Sequence, residues 1–188
     1  MAQYILASQS PRRKQLLEWA EVDFEVFVKE TDESFPPHLA PREVAEHIAK
    51  QKALAVLQSV PDDRIVIAAD TIVVLDSEII GKPSERNEAI NVLSRLSGQH
   101  HQVITGVAVM NKEKDLVFSD VTDVEFHILL PAQIEYYVDK YQPYDKAGAY
   151  AIQEWIGVVG VKCIKGDFYN VMGLPVSRLM QSLKEFGV

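Results

Sequence analysis

A group of cations stands at the start of the first predicted helix. Arg12, Arg13 and Lys14 follow Ser10, a predicted N-cap, and Pro11, a residue that suits the first helical position. Helix N-termini already carry positive potential, so cations there are locally unfavourable. On a chain with a formal net charge of −8, their presence indicates an anionic ligand such as a polyphosphate. The alternative is that they form only surface ion pairs.

Asp70 interrupts a run that is otherwise apolar from Ile65 to Leu75. A carboxylate in such a strand must be paired, bind a metal ion or open onto a cleft, because an unpaired buried charge is costly. We predict a functional carboxylate at a strand end or bulge. The alternative is a structural pair with a neighbouring loop.

Two lysines could add point charges to the same ligand. Lys52 falls within the apolar arc of a helix predicted from about Pro41 to Gln58, so its ammonium must extend to solvent or reach an anion. Lys82 lies between Gly81 and Pro83, which limit its backbone freedom. That arrangement suits a phosphate contact, although such turns are also common on surfaces.

An acidic loop could complete a metal site. Its carboxylates, Glu30, Asp32 and Glu33, could bind Mg²⁺ or Mn²⁺ jointly with Asp70; the alternative is a solvated charge run. Gly-x-x-x-x-Gly-Lys-Ser/Thr and Gly-x-Gly-x-x-Gly do not occur, which disfavours P-loop and Rossmann nucleotide sites. The cations and carboxylates together predict metal-dependent chemistry on a polyphosphate.

The composition is that of a globular protein. With 188 residues, of which 47% are hydrophobic and 24% charged, the chain is long enough for one domain over 1–188, formed of two lobes. A pI near 5.1 argues against nonspecific nucleic-acid binding. We see no signal peptide or membrane-spanning run and expect a cytoplasmic protein without membrane partners. We expect the single cysteine, Cys163, to be a buried thiol.

The patterning predicts an α/β fold with a mixed, partly antiparallel sheet and flanking helices. Strands are predicted at about 3–7, 23–28, 65–75 and 158–165, with a long hairpin over 102–129 that turns at 111–114. Helices are predicted at about 11–20, 41–58, 85–97 and 131–141, with a last one from 175. This order places Arg12 and Arg13 at the start of a helix, and Lys52 within the next helix.

Several ordered blocks of the chain resemble the Maf family of nucleoside-triphosphate pyrophosphatases, over essentially the whole length. They are Leu6-Ala-Ser-Gln-Ser-Pro-Arg-Arg13, Glu30-Thr-Asp-Glu33, Gln51-Lys-Ala53, Ala68-Ala-Asp-Thr71, Gly81-Lys-Pro83, His101-Gln-Val-Ile-Thr-Gly106, Asp145-Lys-Ala-Gly-Ala-Tyr-Ala-Ile-Gln153 and Asn170-Val-Met-Gly-Leu-Pro175. The resemblance implies hydrolysis of a nucleoside triphosphate to the monophosphate and pyrophosphate, aided by a divalent cation. It also implies an inosine-triphosphatase-like fold of two lobes around a cleft, and a possible homodimer.

The resemblance also implies roles for individual residues. Asp70 would be the proton acceptor that activates water for attack on the α-phosphorus, and Glu33 its acidic partner at the metal. The phosphate-handling positions would be Ser8, Arg12, Arg13, Lys52 and Lys82. Arg12, Thr71 and Gln153 match the branch that acts on dTTP and UTP rather than on 7-methyl-GTP. The Gln153 amide could offer both a donor and an acceptor to a pyrimidine imide edge.

A link of the family to cell division, and two departures from its pattern, bear on the biological role and on substrate choice. The family has been linked to septum formation, so a nucleotide-binding regulator of cell division with little turnover is an alternative function. Glu154 and Trp155 follow Gln153 where many relatives have glycine. Gln142 stands where relatives usually have an acidic residue, two or three positions before Asp145. Both departures concern the loop expected to face the base, and therefore substrate choice rather than the reaction.

Overall fold

The computed structural model describes residues 3–60 and 64–187. The strands are β1 (Tyr4–Leu6), β2 (Phe24–Val26), β3 (Ile65–Leu75), β4 (Glu78–Ile80), β5 (His100–Met110), β6 (Asp115–Phe126) and β7 (Val161–Lys165). The α-helices are α1 (Pro11–Trp19), α2 (Pro41–Leu57), α3 (Arg86–Leu96), α4 (Pro131–Tyr141), α5 (Trp155–Gly160), α6 (Phe168–Met172) and α7 (Val176–Leu183). Two short 3₁₀ helices cover Ala147–Ala149 and Lys184–Phe186.

The strands of the described residues form one seven-stranded sheet in the order β2-β1-β3-β5-β6-β7, and β4 pairs with β3. β1 runs parallel to β2 and to β3. The β3–β4 and β6–β7 pairs are antiparallel. The predicted mixed sheet with flanking helices is therefore confirmed.

The described chain divides into two compact units. The first draws on Met1–Thr71, Thr105–Asp120 and Gly173–Val188, and the second on Ile72–Ile104 and Val121–Met172. Two units agree with the expectation of two lobes. The expected cleft, and the assignment of 1–188 to a single domain, stay predictions.

In the first unit, α2 packs closely on the sheet. Its apolar face joins a core cluster with β1, β3 and β5, made of Ile5, Ala7, Ala49, Ala53, Val56, Val66, Ala68, Ala108 and Met110. Gly106 in β5 allows the close approach, because a Cβ atom there would lie only 2.2 Å from the backbone carbon of Ala45. This packing fixes α2, and with it Lys52, relative to β3.

Four local predictions differ from the structure. Residues 158–160 belong to α5 rather than to a strand, and the helix α6 was not predicted. Ser10 stands at the N-cap of α1 but makes no side-chain cap hydrogen bond. Cys163 is exposed rather than buried, because it lies on the sparsely covered strand β7.

No helix in the described part of the chain is long and apolar enough to cross a membrane.

Candidate active site

One ammonium group joins the two carboxylates that the sequence singled out. Lys52 Nζ lies 2.7 Å from Asp70 Oδ1 and 2.8 Å from Glu33 Oε1. Asp70 is buried, with 7% of its surface exposed, whereas the Glu33 side chain is about half exposed. Of the two alternatives for Lys52, the structure selects contact with an anion over extension into solvent.

Asp70 lies in the middle of the long strand β3. It is flanked in β3 by buried residues, including Ala68, Ala69 and Ile72, and the strand continues past it to Leu75. The prediction that Asp70 occupies a strand end is therefore wrong; that it occupies a bulge stays a prediction. The carboxylate tolerates this apolar strand because Lys52, one turn beyond Ile48 on the packed face of α2, supplies a cation.

Arg13 is held by three hydrogen bonds to separate parts of the first unit. Its Nε donates to the Gly173 carbonyl at 2.8 Å, its Nη1 to Ser8 Oγ at 3.1 Å and its Nη2 to Thr71 Oγ1 at 3.0 Å. A planar guanidinium with all three nitrogens engaged has little freedom to rotate. Arg13 therefore presents a fixed positive charge beside the residue that follows Asp70.

The partners of Arg13 are themselves organised. Ser8 Oγ also accepts a hydrogen bond from the Ser10 backbone N–H at 3.2 Å, which shapes the entry to α1. Thr71 Oγ1 lies 2.9 Å from Thr105 Oγ1, and Thr105 is fully buried in β5. Sequence reasoning did not assign Thr105. The available signal was a threonine inside the apolar strand pattern of the block that starts at His101.

The groups around Arg13 shift the pKa of its guanidinium in opposite directions. Burial lowers the pKa of the Arg13 guanidinium from its usual value, and the neighbouring charge of Arg12 lowers it further. The charges of Asp70 and Glu33 raise it. The charge of Arg12 and the charges of the two carboxylates therefore act on the Arg13 guanidinium in opposite directions.

Six of the nine predicted site residues make direct contacts in the first unit, in two groups. One group is Ser8, Arg13 and Thr71. The other is Lys52 with its two carboxylate partners, Asp70 and Glu33. Arg12 is half-buried in α1. Lys82 and Gln153 belong to the second unit, where both are exposed.

In the second unit, the segment 145–153 is fixed to the Gly81 turn. The Gly148 N–H donates to the Gly81 carbonyl at 3.3 Å. Gly148 has φ of +70°, and a Cβ atom there would lie 2.8 Å from a Val73 methyl carbon. Only glycine suits both conditions, so this contact holds the backbone next to Lys82.

A buried aromatic cluster supports the same segment. His101 Nε2 lies 2.8 Å from the Tyr150 hydroxyl, and both rings make edge contacts with Phe126. Burial, with the nearby charge of His100, lowers the pKa of His101 to about 4. His101 is therefore neutral at pH 7 and acts as a packing residue.

No ready-made metal cage exists among the described residues: they contain no group of three or more His, Cys, Asp or Glu placed to hold an ion. Glu33 and Asp70 nevertheless reach the same cation, the Lys52 ammonium. Two carboxylates suit Mg²⁺ when phosphate oxygens and water supply the other ligands. The donor set thus fits a metal that arrives with a phosphorylated ligand.

Comparison with known proteins decides the family. The Maf-like protein family profile matches residues 3–186. The chain belongs to the Maf-like protein family. It is 50% identical over 184 residues to a dTTP/UTP pyrophosphatase of Bacteroides thetaiotaomicron, covering 97% of this chain and 95% of the relative. It is 47% identical to a dTTP/UTP pyrophosphatase of Bacillus velezensis, covering 98% of this chain and 96% of that one.

A solved structure extends the likeness of this Maf-like chain to a more distant fold relative. The structure of the Staphylococcus aureus Ham1 protein superposes with a TM-score of 0.57, at 15% identity, over 98% of this chain and 99% of that one. At this identity the likeness shows the fold alone. It confirms the predicted architecture independently of sequence.

Proposed function

We propose that this Maf-like protein hydrolyses dTTP and UTP to the monophosphate and pyrophosphate. The observation that carries the proposal is the Lys52 ammonium held between Asp70 and Glu33, in the same unit as the anchored Arg13. The dTTP/UTP pyrophosphatases at 47–50% identity support the reaction and the substrate class.

Asp70 is the proposed general base. Lys52 bonds its Oδ1, which leaves Oδ2 to accept a proton from a water molecule that attacks the α-phosphorus. Burial within β3 limits the carboxylate to few orientations. Proximity and a fixed orientation lower the entropic part of the barrier.

The cations are proposed to hold the triphosphate. Three protein bonds leave the Arg13 guanidinium two further N–H groups, one on each terminal nitrogen, to donate to phosphate oxygens. Arg12 and Lys82 would add charge, and Ser8 a hydroxyl. Because Arg13 is already oriented, binding does not require ordering of its long side chain.

Glu33 and Asp70 are the proposed ligands of a divalent cation, Mg²⁺ or Mn²⁺. The ion would neutralise phosphate charge as it builds up during phosphoryl transfer. The Lys52 ammonium already balances these carboxylates, so metal binding requires Lys52 to shift from at least one of them toward a phosphate oxygen.

Product analysis tests the reaction directly. Purified protein is incubated with Mg²⁺ or Mn²⁺ and dTTP, UTP, CTP, GTP or 7-methyl-GTP, in water enriched in oxygen-18. We expect selective turnover of dTTP and UTP, pyrophosphate as co-product and the label in the monophosphate. Label in the pyrophosphate, or release of orthophosphate and a diphosphate, would contradict attack on the α-phosphorus.

A further inference from the structure

The Tyr137 hydroxyl connects helix α4 to the turn that carries Gln153. The side chain of Tyr137 is fully buried. Its hydroxyl donates a hydrogen bond to Glu154 Oε2 and accepts one from the Ala151 backbone N–H at 3.2 Å. One atom therefore holds the residues on both sides of the pair Ile152 and Gln153.

The other oxygen of Glu154 is held from a second direction. Lys146 is buried, and its ammonium lies 3.7 Å from Glu154 Oε1 and 2.7 Å from Asp145 Oδ1. The Glu154 backbone N–H donates to the Ala151 carbonyl at 3.1 Å, which closes a four-residue turn with Gln153 third. The Glu154 carboxylate therefore contacts Lys146 near the start of the segment 145–154 and, through the Tyr137 hydroxyl, is connected to Ala151 near its end.

Helix capping does not account for this use of Glu154. Glu154 stands at the N-cap position of α5, yet its side chain makes no cap hydrogen bond. The carboxylate is directed instead to Tyr137 and Lys146, at the cost of partial burial, since its side chain is only 23% exposed. Because the Glu154 carboxylate is partly buried and does not cap α5, we expect it to have another structural role.

This role concerns Gln153, the exposed residue between Ala151 and Glu154. Ala151 and Ile152 are buried, whereas the neighbouring Gln153 side chain points outward. An amide that reads a base edge must present its donor and acceptor in a defined direction, and an unrestrained turn would not supply one.

We propose that Glu154 and Tyr137 are positioning residues that orient Gln153 and thereby set the discrimination between uracil or thymine and cytosine. This inference rests on the proposed function, because it takes Gln153 as the group that reads the pyrimidine base. Uracil and thymine present an imide N–H where cytosine has a ring nitrogen acceptor, so a misdirected amide loses the preference before it loses catalysis.

The test compares kcat/KM for UTP and CTP in matched variants. Tyr137→Phe removes only the hydroxyl, and Glu154→Ala removes its acceptor; we expect each to lower the UTP/CTP ratio about tenfold, mainly through KM. Glu154→Gln keeps an oxygen that can accept from Tyr137 and should recover part of the ratio. Tyr141→Phe is the control, because its ring stacks on Tyr137 with centroids 4.9 Å apart. It should leave the ratio unchanged.

Gln153→Ala distinguishes failure of the positioning role from failure of the proposed function. If it lowers the ratio while Tyr137→Phe and Glu154→Ala do not, the positioning role is overturned and the proposed function stands. The role is also overturned if Gln153→Ala leaves the ratio unchanged, or if Tyr137→Phe lowers it equally in the Gln153→Ala background. If wild-type protein hydrolyses neither nucleotide, the proposed function fails first. Circular dichroism checks folding, and the Glu154 variants decide if Tyr137→Phe does not fold.

Discussion

The Lys52 ammonium lies 2.7 Å from Asp70 Oδ1, across 18 positions of sequence and between two different elements, α2 and β3. The contact places a cation against a carboxylate that is 7% exposed in the middle of a strand. Removal of one partner leaves the other charge poorly solvated, whereas removal of both leaves a largely apolar contact. Stability and activity should therefore respond differently to single and double substitutions at this pair.

Lys52→Met should destabilise the protein by about 2–3 kcal/mol, because it leaves the buried Asp70 without its cation. Adding Asp70→Asn should recover at least half of that loss. The measurement is urea unfolding of the single and double variants. Lys50→Met on the same helix is the control: its pair with Asp115 is exposed, so its loss should cost under about 0.5 kcal/mol. Equal effects of the two single substitutions would contradict the proposed coupling.

Arg13→Lys should impair both stability and catalysis although it keeps the charge. A lysine cannot reach Gly173, Ser8 and Thr71 at once as the guanidinium does. We expect a loss of about 1–3 kcal/mol and a fall in kcat/KM for UTP of about a hundredfold. Steady-state kinetics and thermal unfolding measure the two effects. Lys14→Gln, which loses only an exposed 3.7 Å pair with Glu18, should match wild type in both.

Much of the fold could be predicted because local pattern and tertiary context agree. The apolar run of β3 and the turn at 111–114 each match the observed element. Residues 158–160 do not: their β-branched sequence favours a strand, yet Val158 is 80% exposed, while Ile156 and Gly160 of the same helix are buried. Helix α5 is therefore set by tertiary packing, which a local pattern does not contain.

The candidate site could be predicted as a set of residue types but not as a set of contacts. Arg12, Arg13, Lys52 and Asp70 could be singled out because each is unusual in its own segment, whereas Glu33 and Lys82 depended on the family resemblance. The partners of Arg13 lie 5, 58 and 160 positions away, so no local spacing indicates them. Thr105 shows the same limit, since its contact to Thr71 spans 34 positions.

Acid should destabilise the protein in part through His101. Its folded-state pKa of about 4 lies below the value of 6.5 expected when unfolded, so the unfolded chain binds a proton that the folded chain does not. Stability should therefore fall as pH decreases from 6.5 to 4, by about 3 kcal/mol from this group. Above pH 6.5 His101 should contribute no pH dependence.

His101→Gln isolates that contribution, because glutamine can still bond the Tyr150 hydroxyl without titrating. Urea unfolding at several pH values should give a shallower decline for the variant than for wild type between pH 6.5 and 4. His38→Gln, at an exposed histidine that contributes nothing to the lowered pKa of His101, should follow the wild-type curve closely. Parallel curves for His101→Gln and wild type would refute the assignment to His101.

Gly148→Ala should destabilise the second unit by about 2–3 kcal/mol. The backbone has φ of +70°, and the new Cβ would lie 2.8 Å from a Val73 methyl carbon, so strain and overlap act together. Gly81→Ala is the matched control, because a Cβ atom there meets nothing within 4 Å. Thermal unfolding should show a clear shift for Gly148→Ala and almost none for Gly81→Ala; shifts of the same size would contradict the argument.

Turnover and binding of UTP by Asp70→Asn test whether Asp70 is the general base. Asparagine keeps the size of the side chain and an oxygen that accepts from Lys52, but it is not a base. We predict that turnover falls at least about a thousandfold, while calorimetry with UTP and Mg²⁺ shows affinity within about tenfold of wild type. Turnover within tenfold of wild type, by protein with a normal unfolding temperature, would contradict the role of Asp70 as the base and the proposed reaction mechanism.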